Sequence, residues 1–164
     1  MPAATPRLVI TTPTDREVVM TRTFDAPRAL VFDALTTPAL LRRWLQAPGR
    51  TLEICEIDLR PGGKYRSVWK GPGRKDVGMF GVYRDVIVPE RIVCTEQWQD
   101  WDAGETLVTN VLVEHDGRTT LTSTSLFPSR EVRDSVLKSG LEPNAVETYD
   151  RLAEVLASQT GSGL

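Results

Sequence analysis

Residues 24–66 constrain the fold more than any other segment, because they predict a strand, two short helices and a hairpin in close succession. Pro27 and Pro38 each stand where a helix is predicted to begin, and the fixed φ of proline suits the first helical position. Gly62 and Gly63 then supply a tight turn between two strands. This order predicts a mixed domain in which helices pack against an antiparallel sheet.

The stretch from residue 51 to residue 127 has the pattern of a series of strands. Runs rich in β-branched and aromatic residues are separated by turns that contain Gly, Pro or Asp. The predicted strands are 17–24, 51–59, 63–70, 77–87, 91–100, 105–115 and 118–127, with a further short one within 7–12. Consecutive strands joined by short turns predict an antiparallel meander.

Alternation along these strands predicts which side chains face the covered side of the sheet. It groups Tyr65, Ser67 and Trp69 on one strand, Leu107, Thr109, Val111 and Val113 on another, and Leu121, Ser123, Ser125 and Phe127 on a third. The opposite side chains are largely polar. One face of the sheet is therefore expected to be covered and the other exposed to water.

The C-terminal segment is predicted to form the covering helix. Ser129 is a suitable N-cap, and an apolar stripe follows it to the end of the chain. The stripe comprises Val132, Val136, Leu137, Leu141, Ala145, Tyr149, Leu152, Ala153 and Leu156. Gly140 and Pro143 interrupt it, so a kink or a break is expected over 140–143.

Length and charge indicate one globular domain that does not bind nucleic acid. The chain has 164 residues, which is short for two domains, and 20 basic against 22 acidic residues give a net charge of −2. Nucleic-acid binding requires a basic surface, which this composition does not indicate. We predict a partly flexible extension over 1–15, one domain over 16–158 and a flexible tail over 159–164.

The sequence also predicts a cytoplasmic protein. Its N-terminus lacks the basic region and apolar run of a signal peptide, and no stretch approaches the ~20 apolar residues that span a bilayer. Cys55 and Cys94 lack the spacing of a metal site. We expect two buried thiols in a reducing compartment, although the sequence alone leaves a disulfide open.

Four motifs in order resemble the family named for the activator of heat-shock protein 90 ATPase, within the START-like (SRPBCC) superfamily. They are FDAPRALVFDALTTPALLRRW, DLRPGGKYR, GVYRDVIVPERIVCTEQW and TLTSTSLFPSREVRDSVLKSGLEPN. The resemblance covers roughly residues 16–158 and implies an α+β helix-grip fold. In that fold a curved antiparallel sheet of about six or seven strands wraps around a long C-terminal helix, with two short helices after the first strand. Pro143 departs from the helix-forming residues usual in relatives.

The resemblance implies a cavity between sheet and helix, and we expect this cavity to bind a small hydrophobic or amphipathic molecule, without catalysis. Two alternatives remain: a chaperone-associated protein that binds a heat-shock ATPase, and a cyclase- or hydrolase-type enzyme that uses the same cavity. We expect a monomer or a homodimer.

The predicted ligand-contacting residues mix small or hydroxyl side chains with apolar and aromatic ones, which is the composition of a small-molecule pocket. They are Ser67, Trp69, Phe80, Glu96, Trp98, Thr109, Ser123, Val136, Gly140, Leu141 and Tyr149. Trp44 is interpreted as core or pocket rim, and Trp101 as the cap of a sheet end.

Glu96 has two predicted positions. If Cys94 and Trp98 face inward, the period of two takes Glu96 in with them, where burial would raise the pKa of its carboxyl. If Val93 and Thr95 face inward instead, Glu96 is a solvated carboxylate. The second register has a small preference on sequence alone.

Catalytic and cofactor-binding motifs are missing from the sequence. His115 is the single histidine and stands beside a predicted Asp-Gly turn, so a catalytic triad or a histidine-based metal site is not expected. No glycine-rich phosphate-binding motif occurs. Asp100, Asp102 and Glu105 lack the spacing of a calcium loop. We therefore predict no catalytic residue, no metal and no cofactor.

Overall fold

A computed structural model of the chain describes residues 7–161, in which one eight-stranded antiparallel sheet packs against four helices. The strands are β1 (Val9–Thr11), β2 (Glu17–Phe24), β3 (Thr51–Ile57), β4 (Lys64–Lys70), β5 (Val77–Ile87), β6 (Arg91–Trp98), β7 (Trp101–His115) and β8 (Arg118–Leu126). The helices are α1 (Arg28–Thr36), α2 (Pro38–Trp44), α3 (Arg130–Lys138) and α4 (Leu141–Gly161).

The sheet has the strand order β1-β2-β8-β7-β6-β5-β4-β3, so β3 to β8 form the predicted meander. This arrangement confirms the helix-grip architecture. The sheet has eight strands in the described part of the chain, against the six or seven that the resemblance implies, because the short strand predicted within 7–12 forms β1 and pairs with β2 at the edge. β1 lies within the stretch predicted as an extension over 1–15, of which residues 1–6 lie outside the described residues.

Two short helices connect β2 to β3, as predicted. Pro27 is the N-cap of α1, one residue before the predicted position, and Pro38 is the first residue of α2. The Trp44 indole N–H donates to the Ala34 carbonyl at 2.9 Å and so joins the two helices. Arg151 in α4 donates to the Trp44 carbonyl at 3.1 Å. These contacts hold α2 above the sheet.

The predicted C-terminal helix is two helices with a sharp break between them. Ser129 caps α3 as expected, because its Oγ accepts the Val132 N–H at 3.2 Å. Gly140 has φ of +89°, a left-handed conformation that separates α3 from α4. Pro143 lies in the first turn of α4, where a missing N–H costs little. α4 continues to Gly161, beyond the predicted start of the tail, and residues 162–164 lie outside the described residues.

The core lies where α4 and α1 pack against β2, β7 and β8. Leu152 and Leu156 of α4 are almost completely buried, as are Leu112 of β7 and Leu121 of β8. These four residues belong to one apolar cluster with Val31 of α1. The same cluster reaches β3 at the far edge of the sheet through Leu52 and Cys55, where α2 also packs against the sheet.

The predicted alternation of β7 is wrong by one residue. Leu107 and Val113 are 37% and 58% exposed, whereas Val108 and Leu112 are buried. Both faces of this strand carry apolar side chains, so period 2 alone could not identify the inner one. The pairing of β7 with the amphipathic β8 determines which face of β7 is inward, since Leu112 lies opposite Leu121.

Candidate functional site

A cavity of about 770 Å³ lies between the inner face of the sheet and the helices α2, α3 and α4. Apolar and aromatic side chains form most of its wall, with a few hydroxyl and amide groups and one carboxyl. Strands β4 to β8 contribute the floor, and α4 with the break before it contributes the roof. The volume falls in the range of small-molecule sites.

Eight of the residues predicted from sequence line this cavity. They are Ser67, Trp69, Glu96, Trp98, Ser123, Val136, Leu141 and Tyr149. Sequence reasoning placed them together because each stands on the predicted inner face of a strand or on the apolar stripe of the C-terminal segment. Their contact with a ligand stays a prediction.

Three other predicted residues do not line the cavity. Phe80 is 43% exposed on the outer face of the sheet, because Met79 is the inward residue at that point of β5. Thr109 points away from the cavity for the same reason, as Asn110 is its inward neighbour on β7. Gly140 lies in the helix break, and its role is the positive φ described above.

Residues that the sequence prediction missed include Asn110, Met79 and Tyr83, all of which line the cavity. Met79 and Tyr83 are each two residues from Gly81 and so lie on the same face of β5. Gly81 pairs with Tyr65, which was assigned to the correct face. Extending the alternation of β4 across the hairpin to β5 would therefore have found them.

All four tryptophans of the chain line the cavity, namely Trp44, Trp69, Trp98 and Trp101. The Trp69 indole N–H donates to the Leu45 carbonyl at 3.0 Å, which joins the sheet to the end of α2. Trp69 and Trp98 stack with ring centroids 5.9 Å apart. Trp101 is 45% exposed and so lies at the rim. Aromatic rings thus form one continuous side of the wall.

Glu96 faces the cavity, which decides between the two registers predicted for β6. Cys94, Glu96 and Trp98 all line the wall, so the sequence preference for a solvated Glu96 was wrong. The Trp98 indole N–H donates to Glu96 Oε1 at 3.1 Å. Burial raises the pKa of the Glu96 carboxyl, and the Trp98 hydrogen bond opposes part of that rise.

The floor beneath Glu96 is fixed by a close approach at Gly81. The Tyr65 hydroxyl donates to the Thr95 carbonyl at 2.6 Å, and the Val82 N–H donates to Thr95 Oγ1 at 2.9 Å. A Cβ on Gly81 would lie 2.7 Å from Tyr65 Cε1 and would overlap the Thr95 carbonyl oxygen. Only glycine lets the Tyr65 ring cross β5 here.

A second polar group lies under α4. Ser123 and Asn110 are opposite each other on β8 and β7, and the Ser123 hydroxyl lies beside the Tyr149 phenol. Burial raises the pKa of Tyr149 to about 12. The cavity wall therefore has two polar regions, one around Glu96 and one around Tyr149.

Arg22 lies close to the second polar region but does not line the cavity. It is 6% exposed, it forms an ion pair with Asp150 at 2.6 Å, and its guanidinium lies 5.3 Å from the Phe24 ring centroid. Its positive charge is thus compensated outside the cavity.

Other residues weighed for chemistry do not form a site. His115 is 89% exposed and contacts Asp116. No group of three or more metal-ligating side chains occurs within residues 7–161. Cys55 and Cys94 are both buried, as predicted, and they are not bridged. None of the described helices is long and apolar enough to cross a membrane.

Comparison with known proteins assigns this fold and cavity to a family. Residues 25–157 match the family described as "Activator of Hsp90 ATPase homolog 1-like protein". The chain belongs to this family. Membership confirms the resemblance read from the four motifs and agrees with the helix-grip fold. No curated protein matches the chain.

Solved structures of similar proteins agree with this family fold. A protein of Rhodobacter sphaeroides is 32% identical, with a TM-score of 0.85 over 92% of this chain and 98% of its own. A protein of Mycobacterium smegmatis has 21% identity and a TM-score of 0.81 over 91% and 96% of the two chains. One of Staphylococcus epidermidis has 24% identity and a TM-score of 0.80 over 92% and 94%. The latter two show the fold alone.

Proposed function

We propose that this protein of the Hsp90 ATPase activator-like family binds a small hydrophobic or amphipathic molecule reversibly in the cavity, without catalysing a reaction. The observation that carries the proposal is the 770 Å³ space with a mainly apolar wall and a few converging polar groups. Contact between an apolar wall and water is unfavourable. An apolar ligand that covers the wall therefore lowers the free energy of the system.

Small side chains at inward positions support the proposal. Ser67, Ser123 and Ala145 face the space from β4, β8 and α4, and none of them is long enough to reach across it. A core evolved only for stability would fill such a space, because interiors pack at the density of organic crystals. The open volume therefore indicates room for a ligand.

Tryptophan fluorescence is the direct test, since all four indoles line the cavity. Native mass spectrometry of freshly purified protein would first show whether a small molecule copurifies. Titration with decanol, below the concentration at which it separates from water, should then shift the emission and saturate at one site.

A matched pair of variants separates the cavity from the outer face. Ser123→Leu should weaken decanol binding about tenfold, because the larger side chain enters the cavity. Thr124→Leu adds an apolar side chain at the next position of β8, whose side chain is on the other face, and should leave binding unchanged. Val136→Phe is a second cavity variant on α3, which contains no buried residue and tolerates the change.

Absence of any saturable fluorescence change in the wild-type protein would refute the proposal, as would equal binding by Ser123→Leu and Thr124→Leu. Folding of each variant is checked by its thermal melt.

Association with a heat-shock ATPase stays a prediction from the resemblance, and a cytoplasmic location stays a prediction from the sequence. The printed family name refers to an ATPase activator. If this protein binds such an ATPase through its outer surface, Ser123→Leu should weaken decanol uptake and leave ATPase binding intact.

A further inference from the structure

The cavity wall has an acidic side chain but no basic one. Glu96 is its one acidic residue, and no Lys, Arg or His side chain lines it within the described part of the chain. Trp98 is the hydrogen-bond partner of the Glu96 carboxyl, through Oε1. A carboxylate enclosed by apolar walls without a cation is costly, so an incoming positive charge would be strongly favoured there.

Aromatic rings surround the same carboxyl. Trp98 contacts it directly, Trp69 stacks on Trp98, and the Tyr65 phenol is close enough to interact electrostatically with Glu96. The faces of such rings carry partial negative charge and attract cations, ammonium groups in particular. The ring faces and the Glu96 carboxyl thus both attract a positively charged group.

We propose that the cavity selects amphipathic ligands with a cationic ammonium group, which pairs with Glu96 among the rings of Tyr65, Trp69 and Trp98 while the apolar part extends beneath α4. This selectivity rests on the proposed function, since it names the ligand class of the same cavity. An anionic ligand, such as a fatty acid, would place a second negative charge beside Glu96. Arg22 pairs with Asp150 and does not line the cavity, and its charge acts on Tyr149 in the other polar region.

Cation binding should depend on pH through Glu96. Its titratable neighbours do not ionise near neutrality, because burial raises their pKa values. The pKa of Cys94 is raised to about 11 and that of Tyr149 to about 12. The pKa values of Tyr65 and Tyr83 are raised still further. Burial also raises the pKa of Glu96, so at any pH below that pKa a bound cation must displace a proton from the carboxyl. Affinity for a cation should therefore rise with pH until Glu96 is ionised.

Three probes with a ten-carbon chain test the inference: decyltrimethylammonium, decanol and decanoate, each below the concentration at which it forms micelles or separates from water. Tryptophan fluorescence and calorimetry report binding to the wild-type protein, to Glu96→Gln and to Glu56→Gln. Glu96→Gln keeps the shape of the side chain and removes its charge. Glu56→Gln removes the same charge from the outer face, where the Glu56 side chain is 71% exposed.

The wild-type protein should bind decyltrimethylammonium on the order of tenfold more tightly than decanol, and decanoate most weakly. Glu96→Gln should abolish the preference for the cation over decanol and the pH dependence of cation binding. Glu56→Gln should behave as the wild type.

If no probe binds, the proposed function itself is refuted. If decanol binds but the cation is not preferred, or if Glu56→Gln loses the preference as Glu96→Gln does, binding stands and the cation selectivity is refuted. Tightest binding of decanoate would refute it as well. Should Glu96→Gln fail to fold, the pH dependence of decyltrimethylammonium binding to the wild-type protein decides the matter, since the probe's own charge is constant.

Discussion

Replacing Gly81 with alanine should destabilise the protein far more than the same change at Gly78, although both glycines lie on β5. A Cβ at position 81 would overlap the Thr95 carbonyl oxygen and lie 2.7 Å from Tyr65 Cε1, against an ordinary carbon–carbon contact of about 3.5–4 Å. At position 78 the nearest atom is the side-chain amide oxygen of Gln99, and that exposed side chain can move aside.

The cost at Gly81 follows from the contacts that must break. Thr95 is 2% exposed and is held by the Tyr65 hydroxyl and the Val82 N–H, so its backbone cannot retreat without losing one of them. Overpacking costs about 1–3 kcal/mol and a lost hydrogen bond about 0.5–1.5 kcal/mol. Gly81→Ala should therefore lower the free energy of unfolding by about 2–4 kcal/mol, against about 1 kcal/mol or less for Gly78→Ala.

Urea unfolding followed by tryptophan fluorescence measures both free energies, and circular dichroism gives the melting temperatures. For a chain of this length the change at Gly81 corresponds to a fall of about 4–16 °C in Tm. Equal stability of the two variants, or a Gly81→Ala protein that melts with the wild type, would show that Tyr65 does not cross β5 as closely as described.

Three further predictions concern stability. Leu152→Ala removes a fully buried side chain of α4 and should cost about 2–5 kcal/mol in urea unfolding, whereas Leu107→Ala on the outer face should cost less than about 1 kcal/mol. Ser129→Ala removes the side-chain cap of α3 and should cost about 1 kcal/mol, which its thermal melt would show. Glu96→Gln should make the protein more stable than the wild type near pH 8 but not near pH 4. The raised pKa means that the folded state holds its proton more tightly than the unfolded state, so wild-type stability falls as pH rises through that pKa.

Elements with one clear signal were predicted well from sequence. The bounds of β2 and β5 agree residue for residue with the alternation and turn residues that predicted them. Ser129 caps α3 as its position before the apolar stripe indicated. Each of these features depends on residues that are neighbours in the sequence, which is the information that propensity and periodicity contain.

Features that depend on several strands at once were predicted less well. Leu107 and Val108 are both apolar, so the inner face of β7 is decided by its pairing with β8 and not by its own pattern. Phe80 was predicted to contact the ligand, but it is the neighbour of Met79, which faces the cavity, so the Phe80 side chain lies on the opposite face of β5. Glu96 shows the converse, since a half-buried carboxyl that faces an apolar cavity departs from the usual distribution of charged residues, and such exceptions occur at functional sites.

The helix break lies at the start of the predicted range 140–143, and of the two residues named there Gly140 is the one that ends α3. Pro143 is the stronger helix breaker, yet Gly140 ends α3 because only glycine readily adopts its positive φ. Pro143 then falls in the first turn of α4, where it favours the new helix.

The break at Gly140 leaves α3 as a short segment that contains no buried residue, whereas Leu152 and Leu156 anchor α4 in the core. Little apolar surface is exposed if α3 detaches, so its local unfolding requires much less free energy than global unfolding. Amide protons of α3 should accordingly exchange with solvent faster than those of α4. Since Ser135 and Val136 of α3 line the cavity, such local unfolding would widen the cavity on the α3 side while the sheet and α4 remain intact.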